Sequence, residues 1–133
     1  MSMPTALIEV RRRYSDEEEV AVIDAVHGAL VAAFRIPPKD KHVRLVVHEP
    51  HRFACPPGLS QPEYCTIVSI DCFAGRSGQA KRHLYTEIVD RLTALGIPRD
   101  HITITLRESG PENWGIRGGV AASDVDLGFD LHV

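Results

Sequence analysis

The sequence predicts an α+β fold built from two β-α-β units that repeat each other along the chain. In the first unit a strand leads to Ser15, a helix, a turn at Ile36-Pro37 and a second strand, and the same order recurs around Ser77 and Ile97-Pro98. Matching positions are 61 or 62 residues apart, which indicates one supersecondary unit used twice. We therefore expect one domain over residues 1–133, with units at about 4–48 and 64–108 and a C-terminal strand segment at 112–133.

The first unit begins with a short strand, in which Ala6, Ile8 and Val10 alternate with their neighbours. A helix start follows, because Ser15 and Glu18 have the spacing of a capping box. The helix carries apolar residues at helical spacing, namely Val22, Val26, Leu30 and Phe34, and ends before Pro37-Pro38. A second strand is predicted from about Val43 to His48.

The second unit follows an irregular loop at 49–63 that is rich in proline. A strand is predicted over residues 64–72, and Ser77 is the expected N-cap of the second helix. The apolar stripe of that helix consists of Ala80, Leu84, Ile88, Leu92 and Leu95. Gly96 and Pro98 end it, and a further alternating strand contains Ile102, Ile104 and Leu106.

The end of the chain predicts contact with a partner subunit. Apolar residues alternate with polar ones at every second position from Val125 to Val133, so this segment is predicted to be a strand with one apolar face and little to cover it. The order β-α-β-β-α-β itself allows two closures. One is a ferredoxin-like antiparallel sheet, and the other packs two parallel β-α-β units about a pseudo-twofold axis; periodicity does not choose between them.

Composition and charge argue against several classes of function. The chain has 133 residues, of which 44% are hydrophobic and 25% charged, with a formal net charge of −3. Such a chain lacks the basic face that nucleic acids and anionic membranes attract, and no apolar run reaches the roughly 20 residues of a membrane span. Its three cysteines form no CxxC pair and are expected to be reduced. We expect a cytoplasmic protein with no metal, nucleic-acid or membrane partner.

Four segments resemble the tautomerase superfamily, in its 4-oxalocrotonate tautomerase and malonate semialdehyde decarboxylase branches. They are Met3 to Val10, the helix segment Ile23 to Leu30, the turn Gly75-Arg76-Ser77, and Glu112-Asn113-Trp114-Gly115. Their order and spacing match the family over nearly the whole chain. The resemblance implies a tautomerase/MIF-like fold of two β-α-β units related by a pseudo-twofold axis, three subunits around a threefold axis, and acid–base chemistry without a cofactor.

The resemblance also implies the site residues. Pro4 stands at the position of the catalytic N-terminal proline, Asp40 at that of the catalytic aspartate, and Arg76 at that of an arginine that binds a substrate carboxylate. Trp114 corresponds to a pocket wall. Arg117 is added from the residues themselves, because glycines on both sides let its backbone approach a ligand closely. The expected substrate is a small carboxylate that undergoes keto-enol tautomerisation or a related hydration or decarboxylation.

Two departures from the family pattern keep a second hypothesis open. Met1-Ser2-Met3 precede Pro4, and an internal proline nitrogen is an amide nitrogen without useful basicity. Tyr14 and Ala74 stand where arginines are typical. The alternative is therefore a non-catalytic carboxylate-binding protein or a structural trimer on the same scaffold.

Each candidate residue also has an ordinary structural interpretation. Pro4 can simply open a strand, and Asp40 can be a turn residue like Asp100 in the second unit. Arg76 can be a charged residue before a helix cap. Trp114 can be a contact between subunits.

Overall fold

The computed structural model describes residues 4–125 of the 133-residue chain. The main elements are β1 (Thr5–Val10), α1 (Asp16–Phe34), β2 (His42–Val47), β3 (Thr66–Phe73), α2 (Gly78–Ala94) and β4 (Ile102–Ser109), followed by the two short strands β5 (Gly115–Ile116) and β6 (Val120–Ala121). Single 3-10 turns lie in the connections.

The strand order decides between the ferredoxin-like sheet and the pair of parallel β-α-β units. The four main strands form one sheet in the order β2-β1-β3-β4. β1 pairs with β2 in parallel and β3 with β4 in parallel, while β1 and β3 are antiparallel at the centre. Each β-α-β unit therefore keeps its own parallel strand pair, and the pseudo-twofold axis passes between β1 and β3. The prediction of two such units is confirmed, and the ferredoxin-like arrangement is not adopted.

Local sequence explains where the helices begin. Glu18 N–H donates to the Ser15 hydroxyl at 3.2 Å, and Ser15 N–H donates to the Glu18 carboxylate at 2.9 Å, so the predicted capping box is formed. The predicted N-cap of α2 is formed as well, since Ala80 N–H donates to the Ser77 hydroxyl at 3.0 Å.

The core lies between the two helices and one face of the sheet. The apolar stripes predicted for both helices are buried in it, together with alternate side chains of the strands, among them Ala6, Ile8, Val10, Val68 and Ile70. Leu95 was predicted to belong to the buried stripe of α2, and this prediction is wrong, because Leu95 is 45% exposed. The helix ends at Ala94 and the chain turns away at Gly96, where φ is +101°.

The other face of the sheet carries no helix. Its side chains include Leu7 and Ile67, which are half-buried, and Val46, which is 42% exposed. Ion pairs also lie on this face: Arg107 donates to Asp71 at 2.8 and 3.2 Å, and His48 is 2.9 Å from Glu9. Apolar and paired polar groups thus alternate over an uncovered surface.

The segment after β4 differs in part from the expectation. Residues 115–121 form a short antiparallel hairpin, in which Gly115 pairs with Ala121. Most of the predicted C-terminal strand, residues 126–133, lies outside the described residues. No helix in the described part has the length and apolar character needed to cross a bilayer.

Candidate active site

The topology gathers the predicted site residues toward one end of the sheet. Pro4 is buried directly before β1. Thr5 pairs with Asp71 of β3 and with His42 of β2, so Pro4 lies beside Cys72 on one side and the loop before β2 on the other. The start of α2 and the end of α1 adjoin the same end, because each helix runs antiparallel to the strand it follows.

Arg76 is anchored at this end by the helix of the other unit. Its Nη1 donates to the Phe34 carbonyl at 2.7 Å, and its guanidinium lies 4.6 Å from the centre of the Phe34 ring. Arg76 is only 7% exposed. Gly75, directly before it, has φ +123°, a backbone conformation that residues other than glycine rarely adopt. This turn places Arg76 at the end of α1. A guanidinium has five N–H donors in a rigid plane, so anchoring one of them fixes the direction of the others.

Asp40 is buried in the loop between α1 and β2. It is 2% exposed, and its N–H donates to the Pro37 carbonyl at 2.9 Å. His27 of α1 holds the same loop, because its Nε2 donates to the Pro38 carbonyl at 2.7 Å. The loop that carries the Asp40 carboxyl is therefore fixed both from within and from the helix.

Cys72 adds a neutral thiol next to Pro4. Burial, together with the charge of Glu108, raises the pKa of Cys72 to about 11, although Arg76 and Lys81 act in the opposite direction. Cys72 is therefore a protonated thiol at neutral pH. Its surroundings at the end of β3 are apolar enough to disfavour a charged group, despite the nearby arginine.

Trp114 lies at the same end but against the uncovered face of the sheet. Its ring meets Phe73 edge to face, with centroids 5.1 Å apart at 70°. Its Nε1 donates to the Ser109 hydroxyl at 2.9 Å. Phe73 belongs to the β3 side chains that point away from the helices, so Trp114 caps the ends of β3 and β4 on that side.

Arg117 lies in the turn of the β5–β6 hairpin. It is exposed and adopts φ +49°, and Gly118 and Gly119 continue the turn with φ +80° and +100°. The hairpin is tied to the candidate site because Ala122 N–H donates to the Trp114 carbonyl at 2.9 Å.

Three contacts at the site had no signal in the sequence. The bond from Arg76 to Phe34, the bond from His27 to Pro38, and the position of Cys72 beside Pro4 all depend on the packing of the two units. Knowledge of the β1–β3 pairing would have placed Cys72, but the strand pattern alone left that pairing open. Within the described residues, no group of three or more histidine, cysteine or carboxylate side chains is placed to hold a metal ion.

A family model described as "Tautomerase enzyme" matches residues 40–117, which is more than half of the chain. The chain therefore belongs to the tautomerase family. The matched segment begins at Asp40, ends at Arg117, and contains Arg76 and Trp114; Pro4 lies before it.

Solved structures of this superfamily share the fold. Malonate semialdehyde decarboxylase, described with decarboxylase and hydratase activities, superposes with a TM-score of 0.81 at 22% identity, covering 92% of this chain and 99% of that one. A second malonate semialdehyde decarboxylase, FG41, inhibited by 3-bromopropiolate, gives a TM-score of 0.74 at 29% identity over 88% and 92%. A fused 4-OT, described as an asymmetric trimer, gives 0.80 at 18% identity over 90% and 97%.

Proposed function

We propose that this protein is a homotrimeric enzyme that acts without a cofactor on a small carboxylate, by keto-enol tautomerisation or a related hydration or decarboxylation. One observation carries the proposal: two charged side chains, Asp40 and Arg76, are buried near Pro4 at the same end of the sheet. Burying charge is costly in free energy. Buried charges gathered at one place favour a functional site over a purely structural one.

Each residue has a role that its chemistry supports. Arg76, with Arg117 from the hairpin, binds the substrate carboxylate, since arginine matches a carboxylate with two parallel hydrogen bonds. Trp114 limits access of water. Asp40 orients the substrate or a water molecule, and the arginine side chains stabilise the enolate as charge develops on its oxygen.

Pro4 moves the proton once its nitrogen is an amine. In the chain as numbered, Met1-Ser2-Met3 precede Pro4, so its nitrogen is an amide nitrogen and neither binds nor releases a proton near neutral pH. Exposure of Pro4 as the first residue would supply a secondary amine. A buried position and a nearby arginine both disfavour the charged form of such an amine, which suits it to act as a base at neutral pH.

The trimer is supported by the uncovered face of the sheet. Half-buried Leu7 and Ile67 and exposed Val46 lie on this face, and a similar surface is typical of an interface between subunits. Fused 4-OT proteins with the same fold are described as trimers. We further place the protein in the cytoplasm, as its three cysteines are free thiols.

The decisive experiment compares two forms of the protein whose first residues are verified by intact mass. One is the full-length chain, and the other is expressed from Met3 so that removal of this methionine exposes Pro4. We expect proton transfer on an enol such as phenylenolpyruvate, or turnover of a β-keto acid, only in the second form. Pro4→Ala in that form should lose part of the activity.

Two other outcomes would redirect the proposal. Equal activity of both forms would show that Pro4 is not the base and would make Asp40 the first candidate. Inactivity of both forms, with retained binding of small carboxylates, would favour the non-catalytic binding protein. Sedimentation showing a stable monomer at micromolar concentration would contradict the trimer.

A further inference from the structure

The opposite end of the sheet holds a second organised cluster, which the proposed function does not use. The loop of residues 48–65 crosses this end, and Arg11, just after β1, fastens it. Arg11 Nη1 donates to the Pro62 carbonyl at 3.1 Å and to Cys55 Sγ at 3.3 Å, and its Nη2 donates to the Pro50 carbonyl at 3.2 Å. One guanidinium thus holds both ends of the loop and one of its thiols.

A second anchor holds the same loop close to Cys65. Gln61 N–H donates to Nε2 of His101 at 3.0 Å, and Nδ1 of this buried histidine donates to Asp100 at 2.7 Å. The last residues of the loop are therefore fixed against the turn before β4. Neither anchor involves a residue of the candidate active site.

Cys65 lies directly beside this cluster. It immediately precedes β3, and because Val10 pairs with Thr66, Cys65 stands next to Arg11. Burial raises the pKa of the Cys65 thiol, and the neighbouring Cys55 thiol raises it further through its charge and a hydrogen bond. Cys55, which accepts a hydrogen bond from Arg11, and Cys65, which stands opposite Arg11 in the sheet register, thus lie at the same guanidinium, with Cys55 half-buried and Cys65 6% exposed.

We propose that Cys55 and Cys65 form a site of oxidative modification, at which hydrogen peroxide converts the two thiols into an intramolecular disulfide. The Cys55 thiolate attacks one peroxide oxygen, the O–O bond breaks, and the leaving hydroxide takes up a proton as water. The Cys65 sulfur then attacks the sulfur of the resulting sulfenic acid, the S–O bond breaks, and a second water leaves. In total two thiols lose two electrons and two protons, and one peroxide is reduced to two waters.

The structure defines the order of the two steps. Cys55 reacts first because it is half-exposed and reachable by a small oxidant. Cys65 acts second because it is buried and its raised pKa keeps it a protonated thiol that reacts poorly with peroxide. It gives up its proton as its sulfur attacks the sulfenic sulfur, and the departing hydroxide takes up that proton as the second water. Arg11 holds Cys55 in place for this attack, and positioning of the reacting groups governs the rate of an intramolecular step.

Cys72 cannot replace either thiol in the folded protein. It lies at the far end of β3 from Cys65, seven residues along a strand that rises about 3.3 Å per residue, so the two are on the order of 20 Å apart. Cys72 also is 2% exposed. It therefore provides a matched internal control.

The test counts reactive thiols in the native, full-length protein before and after treatment with hydrogen peroxide. The protein is then denatured without reductant and alkylated, and its intact mass is measured by mass spectrometry. We expect alkylation of all three cysteines before treatment and of Cys72 alone afterwards, with a mass loss of two hydrogens that dithiothreitol reverses. Cys72→Ser should still form the disulfide, whereas Cys55→Ser and Cys65→Ser should not. Arg11→Met should slow disulfide formation by about tenfold.

Specific results would overturn the proposal. Addition of oxygen atoms without loss of two hydrogens would show an oxidised thiol without a resolving partner. A disulfide that persists in Cys65→Ser but disappears in Cys72→Ser would assign the pair differently. Unchanged disulfide formation in Cys55→Ser would exclude the site altogether. Arg11, Cys55 and Cys65 lie at the other end of the sheet from the candidate active site, so failure here leaves the proposed enzymatic function unaffected.

Discussion

Arg76 and Tyr14 occupy equivalent positions in the two β-α-β units, each directly before the serine that caps its helix. Arg76 contacts the last turn of α1 through the Phe34 carbonyl and ring. Tyr14 instead lines a small cavity of about 60 Å³ at the end of α2, together with Leu95 and Ile97. The same position in the repeat thus carries a buried cation at one end of the sheet and, at the other, a phenol that contacts apolar groups and lies close to Arg12 and Glu18.

The loops that follow the helices differ in the same way. Asp40 is 2% exposed, whereas the side chain of Asp100 is 78% exposed and accepts a hydrogen bond from His101. Both aspartates come shortly after a proline turn. Local sequence is similar, and the environment is opposite.

This difference shows that the fold does not require buried charge at the end of a unit. The equivalent positions at the other end of the sheet carry no buried charge, since Tyr14 lines a cavity with apolar residues and the exposed Glu18, and Asp100 faces water. Burial of Asp40 and Arg76 at the first end therefore costs stability that the scaffold could avoid. We infer that this end is specialised for binding or catalysis, while the other is closed by the loop of residues 48–65.

Substitution of the two aspartates gives the largest expected contrast. In the form that begins at Pro4, Asp40→Asn should lower kcat by about 10²-fold, because loss of an orienting group misplaces the substrate or the water. Asp100→Asn should leave kcat within about twofold, because its side chain is exposed. Steady-state kinetics on folded variants, checked by circular dichroism, measure this. If both variants kept full activity, Asp40 would be only a turn residue.

The Cys72 thiol, which lies beside Pro4, should react very slowly with alkylating agents at moderate pH. The pKa of Cys72 is about 11, compared with an ordinary value of 9.0, so its thiolate fraction at pH 8 is about 10²-fold lower than in the unfolded chain. We expect iodoacetamide to alkylate Cys72 at least that much more slowly in the native protein than in urea. The native rate should rise about tenfold per pH unit and level off only near pH 11. Equal rates at pH 8 in the native protein and in urea would show that the site is not apolar.

Removal of Arg76 alone should destabilise the fold, although burial of its charge carries a desolvation cost, because the buried Phe34 carbonyl would lose its donor. Arg76→Met removes the hydrogen bond from a charged donor to the buried Phe34 carbonyl, and we expect the free energy of unfolding to fall by about 2 kcal/mol. Arg107→Met breaks only an exposed ion pair with Asp71 and should change the free energy of unfolding little, because solvent screens such a pair. Urea unfolding followed by fluorescence measures both. Similar losses for the two variants would mean that Arg76 is not anchored as described.

Much of the fold could be predicted because its signals are local. The capping box at Ser15 and Glu18, the cap at Ser77 and the two apolar stripes each involve residues within a few turns of one another. Strand order could not be predicted in this way, because β1–β3 pairing joins positions about 60 residues apart. The repeat alone allowed two closures, and the family resemblance chose between them.

Residues for the candidate site could be proposed from the sequence, but their contacts could not. Pro4, Asp40 and Arg76 could be named from family motifs. The anchoring of Arg76 on Phe34 spans 42 residues, and the burial of Asp40 is set by packing that the similar turn at Asp100 does not share. Cys55 and Cys65 were missed as a pair because the loop that joins them has no regular pattern.

The smallest expected effect concerns Tyr14, and its sign tests the comparison between the two ends. The Tyr14 hydroxyl is buried and has no hydrogen-bond partner among the described residues. Its desolvation on folding is therefore not compensated by a hydrogen bond. Tyr14→Phe should therefore raise the free energy of unfolding by about 0.5–1 kcal/mol, whereas Tyr85→Phe, at a 37% exposed position, should change little.

Burial also raises the pKa of Tyr14 above 10.0. The folded state thus resists ionisation of this phenol, and the wild-type protein loses stability as the pH rises from 10 through the folded-state pKa. Since phenylalanine does not titrate, the advantage of the variant should grow above pH 10. Urea midpoints with an unchanged m value, measured at pH 7 and above pH 10, test both statements. A destabilised Tyr14→Phe would show that this hydroxyl has a bonding role, and the end of the second unit would then be a polar site as well.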